Sequence, residues 1–179
     1  MNRTLRFGAF LALSIISVAS LRGQAHKDAS MDKDYAELEH YTLTLDKVTR
    51  LAQIVGELNK ISETNPDVKT ALSGNARPNE TMADSEHDIS AFPQVIAVIS
   101  SHGMTAHEFI VTQISLVQTI FAETVKKSGA DPAKLAAEAH VNLTNLAFIE
   151  QHQADIDKLD EQYGLFPKKK KKPVDESVE

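Results

Sequence analysis

From residue 45 onward the apolar positions fall at 45, 48, 51, 52, 55, 58 and 61. That spacing of three and four is the period of an amphipathic helix, and Thr44 stands where an N-cap belongs. The pattern predicts a helix to about Ser62, interrupted by Asn65-Pro66. PDVKTAL adds a short helical turn that ends near Gly74. Residues 73–88, SGNARPNETMADSEHD, have no apolar face and are read as a loop, mobile or merely connecting. Pro93 then sits in the first turn of the next helix, where a missing N–H costs little. Val95, Ile96, Val98 and Ile99 make that helix mostly buried, and it ends at His102-Gly103.

The segment 106–127 is the most apolar of the chain after the first 25 residues. Phe109, Ile110, Val111, Ile114, Leu116, Val117, Ile120, Phe121 and Val125 cover nearly all its sides, the mark of a central helix or a membrane span. Gln113, Gln118 and Glu123 interrupt the run and favour the central helix. Asp131-Pro132 opens a short alanine-rich helix. Asn142 or Thr144 caps the last one, expected from about Asn145 to Gln162 with Gly164 closing it. The expected fold is all-α: an irregular bundle of four principal helices plus short ones around the helix at 106–127.

The ends divide the 179 residues further. Arg3 and Arg6 precede an apolar run, FGAFLALSIISVA, of about a dozen residues, which suits a secretory signal better than a bilayer span. GQA at 23–25 and VAS at 18–20 are the candidate cleavage sites. Residues 1–25 are therefore read as a signal peptide and 26–43 as a polar lead-in, helical near Tyr35 to Glu39. Residues 44–164 are the helical domain, and 165–179 are a disordered tail rich in lysine and acid. Periplasmic or extracellular localisation follows as an expectation.

Export changes the charge. The chain has 19 basic and 25 acidic residues; losing Arg3, Arg6 and Arg22 with no acid leaves 16 basic residues and a net −9. An acidic body of that kind argues against nucleic acid as a partner. The absence of cysteine excludes disulfides, Cys-ligated zinc, iron–sulfur clusters and thiol nucleophiles.

The candidate chemistry is sparse. In SSHGMTAHEF, residues 100–109, His102, His107 and Glu108 surround Gly103. Helix punctuation accounts for most of it. Gly103 suits a left-handed helix end, and Thr105 with Glu108 has capping-box spacing. His102 and His107 are five apart, which is not the separation that puts two ligands on one helix face, so they are weak metal candidates. His152 leans toward the apolar side of the last helix and is a third candidate, or a pocket group with Gln113 or Gln118. Lys168, Lys169, Lys170, Lys171 and Lys172 form a run that fits weak contact with an anionic envelope surface or a solubilising tail. No nucleophile elbow or phosphate loop is present. A helix-turn-helix outline over residues 93–114 fails on charge, because its second helix has no Arg or Lys before Lys126.

The stretch GMTAHEFIVTQISLVQ, residues 103–118, resembles a segment of uncharacterised exported helical proteins of bacteria. In those, Gly-x-Thr-x-x-Glu and an aromatic residue open a long apolar helix, matched here by Gly103, Thr105, Glu108 and Phe109. Residues 145–149, NLAFI, fit their last helix. The resemblance covers roughly residues 44–160. It implies compartment and fold and carries no activity. The expectation is a non-enzymatic binding or interaction module for an unknown small molecule or protein, with no cofactor predicted. The alternative is a helical metal- or cofactor-binding protein that uses its histidines. An unrecognised enzyme comes third.

Overall fold

The computed structural model describes residues 29–72 and 80–166. Among these residues there are eight helices and no strand, so the protein is all-α. The expected signal peptide at 1–25 and the lysine run lie outside the described residues, as do residues 73–79 of the expected loop.

α1, Ala29–His40, is the first departure from the sequence pattern. A polar lead-in with helix near Tyr35 to Glu39 was expected there; the structure has that helix and extends it to three turns, with Leu38 and the following Leu43 buried. α2, Leu45–Ser62, begins as the caps dictate, the Thr44 side chain accepting from the Lys47 N–H. Val48, Leu51, Ala52, Ile54 and Leu58 are almost fully enclosed. α2 touches α3 (Pro66–Leu72), α5 (Pro93–Ser101), α6 (Ala106–Lys126) and α8 (Leu143–Tyr163). Gly56 lets α8 approach: a Cβ there would stand 2.8 Å from Tyr163 Cδ1.

α4, Met82–Ser90, occupies part of the stretch read as a loop. Its composition is polar, but its start is well made. The Thr81 side chain accepts from the Asp84 N–H at 3.1 Å, and Asp84 Oδ2 accepts from the Thr81 N–H at 3.0 Å. This reciprocal pair satisfies two N–H groups that a helix start otherwise leaves open. Met82 and Ser85 are the buried contacts of α4, which packs on α6.

α5 ends as the glycine foretells. Gly103 has φ +72°, a conformation that L side chains rarely adopt, and the chain turns directly into α6. Thr105 caps α6 by accepting from the Glu108 N–H at 3.0 Å. α6 contacts α1, α2, α4, α5, α8 and α7 (Pro132–Glu138), and so lies at the centre of the packing. No helix of the described residues is long and apolar enough to cross a membrane.

Two polar devices sit inside this core. Asn145 of α8, 1% exposed, accepts from the Leu43 N–H and donates to the Tyr41 carbonyl, each at 2.9 Å. It thereby ties the α1–α2 connection to α8. On α6, Thr112, Ser115, Thr119 and Glu123 follow one another at three- and four-residue steps and are all buried. Tyr41 reaches this stripe through its hydroxyl, 2.6 Å from Thr112 Oγ1.

Candidate functional site

The histidines were the candidate chemistry, and each has an acidic neighbour. His102, at the C-cap of α5, places Nε2 2.9 Å from Glu57 of α2. His107, in the first turn of α6, points elsewhere: Nε2 lies 2.8 Å from Glu37 of α1, and Nδ1 lies 3.5 Å from Glu86 of α4. The five-residue separation therefore sends the two side chains to different helices. His152 has non-helical torsions (φ −108°, ψ 15°) inside α8. Its Nδ1 is 3.4 Å from Asp155, and its ring lies against Phe148 with centroids 4.8 Å apart. Gln113 and Gln118 keep buried amide oxygens without a hydrogen-bond partner, and His152 pairs with Asp155 rather than with either. Among the described residues no group of three or more His, Asp or Glu side chains is arranged to hold a metal ion.

A fourth histidine belongs with His107. His140 lies in the link between α7 and α8, with φ +50°. Its ring stacks on Tyr35 of α1 at 3.9 Å, 14° from parallel, and its Nδ1 is 2.8 Å from Glu39. Glu37 and Glu39 thus attach α1 to the body through two histidines that lie 70 and 101 positions further along the chain. Asp34 adds a third polar tie, accepting from the Met82 N–H at 2.8 Å.

The electrostatics of this seam are directional. Hydrogen bonding to Glu37 holds His107 above the ordinary histidine value, against the effect of its partial burial; the charges of Glu37 and Glu86 add to the rise. Asp34 is also held above the usual carboxylate value, chiefly by burial, with the Met82 N–H opposing. None of these carboxylate partners was a sequence candidate. Their contacts span α1, α4 and α6, and no local spacing announces them. Only Thr81-x-x-Asp84, the start of the helix that carries Glu86, had a local signature.

A second feature lies on α6, away from the histidines. Val117 and Phe121, one turn apart, are 41% and 49% exposed on a helix whose pattern predicted burial nearly all round. Between Glu108 and Lys126 the single charged residue of α6 is Glu123, and it is buried. The open side, which continues to exposed Thr124, therefore carries two large apolar side chains and no charged residue of α6 between Glu108 and Lys126. A shallow depression at the α2–α3 turn, lined by Ser62, Thr64, Asn65 and Lys69, contains none of the candidate residues.

The chain matches no family model, no curated protein and no solved structure.

Proposed function

We propose that the protein is an exported, non-enzymatic interaction module whose contact surface is the open side of α6. The observation that carries the reading is Phe121, half exposed one turn after exposed Val117, on the helix that organises the core. Solvent-facing aromatics next to apolar neighbours on a rigid helix are what a partner's anchor residues bury. The absence of exposed charge between Glu108 and Lys126 selects the occupant: a protein segment with an apolar, uncharged face rather than a ligand held by charge. Export rests on Arg3, Arg6 and the apolar run before His26.

The metal-binding alternative has less support, because His102, His107 and His152 each have a carboxylate within ion-pairing distance on a different part of the fold.

A benzophenone amino acid placed at position 121, irradiated in the protein's native compartment, tests the proposal. The expected result is a cross-link to one other protein. That protein, once purified, must bind the wild-type chain and lose at least about tenfold in affinity to Phe121→Glu, as an interface anchor does. No cross-link, or unchanged affinity, contradicts the reading. A product of twice the chain's mass assigns the face to a second copy and replaces the partner proposed here.

A further inference from the structure

α1 differs from the other helices of twelve or more residues in how it is attached. Its buried apolar contribution is Leu38, joined by Tyr41 and Leu43 just beyond its end. Its remaining ties to the body are polar, and two of them are histidines. His107 of α6 meets Glu37 of α1 and Glu86 of α4, with Asp34 of α1 within its field. His140 of the α7–α8 link meets Glu39 and stacks on Tyr35, both of α1. Around this seam α1 contributes Asp32, Asp34, Glu37 and Glu39 against Lys33 and the terminal His40. The helix is acidic, and α4 presents a further acid, Glu86, to the same histidine.

We infer that α1, docked on α4, α6 and the α7–α8 link, is a proton-operated latch, held while His107 is protonated and loosened when His107 loses its proton. Protonated, His107 donates from a cationic ring to Glu37 of α1 and screens Glu37 from Glu86 of α4. Neutral, a histidine still donates one hydrogen bond but no longer cancels charge. Glu37 then faces Glu86 across a neutral ring and Asp34 along its own helix, with Lys33 the cation near Asp34.

The direction of the effect can be signed. The His107 value is raised on folding. Its contribution to docking is therefore complete below the ordinary histidine value of 6.5 and is lost as the pH climbs through the raised one. Asp34 acts in the same direction, since its raised value means that ionisation opposes the docked state. α1 is held more tightly in mildly acidic conditions than in alkaline ones. Undocking withdraws Leu38 from the core, while α2 and the Tyr41–Thr44 connection held by Asn145 stay packed.

Amide hydrogen exchange on the purified protein tests this, with α1 protection expressed relative to α2 to remove the intrinsic pH dependence of exchange. Between pH 5.5 and pH 8.5 the relative protection of Ala29–His40 is expected to fall roughly twofold to fivefold, the scale of one half-exposed ion pair. His107→Gln should flatten the dependence. His107→Lys, whose charge persists at pH 8.5, should keep α1 protected there. The lysine variant also decides the matter if the glutamine variant does not fold. A flat ratio in the wild type, a surviving dependence in His107→Gln, or loss of protection at pH 8.5 in His107→Lys overturns the latch.

Discussion

α1 and α2 are consecutive, separated by four residues, yet they are held by opposite physics. α2 buries Val48, Leu51, Ala52, Ile54 and Leu58 and touches four other helices. α1 buries one leucine and is fixed by carboxylates on histidines. Hydrophobic attachment is strong and indifferent to pH near neutrality, whereas paired ions contribute little each and respond to protons. The pair shows how one fold can keep a rigid centre and a detachable edge. Asn145 marks the border between them, because it anchors the connection from which α1 departs.

Leu51→Ala removes a fully enclosed side chain of α2 and is expected to cost about 2–5 kcal/mol in urea unfolding, equally at pH 5.5 and 8.5. A strong pH dependence of that cost would erase the distinction between the two helices. Asn145→Ala strands the buried Leu43 N–H and is expected to cost about 1–3 kcal/mol. If Asn145 is the border, this variant also speeds amide exchange in α1 more than in α8 itself. Thr81→Ala removes the cap of α4 and should cost about 0.5–2 kcal/mol, read as a shift of the urea midpoint. Smallest in stability is Phe121→Glu, expected within about 0.5 kcal/mol of wild type because the residue faces solvent. A large loss there would mean that the open side of α6 belongs to the core after all.

Sequence patterns made the strong side of this comparison legible and the weak side not. The apolar spacing of α2, its Thr44 cap, the Gly103 turn and the Thr105 cap of α6 are local features, and the structure has each of them. The reciprocal half of a capping box belongs to Thr81 and Asp84 instead, and polar composition hid that helix inside an expected loop. In the 26–43 stretch the expected helix near Tyr35 to Glu39 proved longer, Ala29–His40, because the apolar stripe of Met31, Tyr35 and Leu38 is thin and acids surround it. Pairs such as Glu37 with His107 join residues 70 positions apart, and no period reports them. Val117 and Phe121 failed for the opposite reason, since a helix apolar all round says nothing about which side its neighbours leave open.

The most direct test of the divided attachment is a double-mutant cycle on Glu37 and His107, each replaced by glutamine, measured by urea unfolding at pH 5.5 and at pH 9. The account predicts a coupling of about 0.2–1 kcal/mol at pH 5.5, the range for half-exposed ion pairs, and a smaller one at pH 9, where the neutral ring keeps a hydrogen bond but no charge. Equal coupling at the two pH values, or none at pH 5.5, would contradict it.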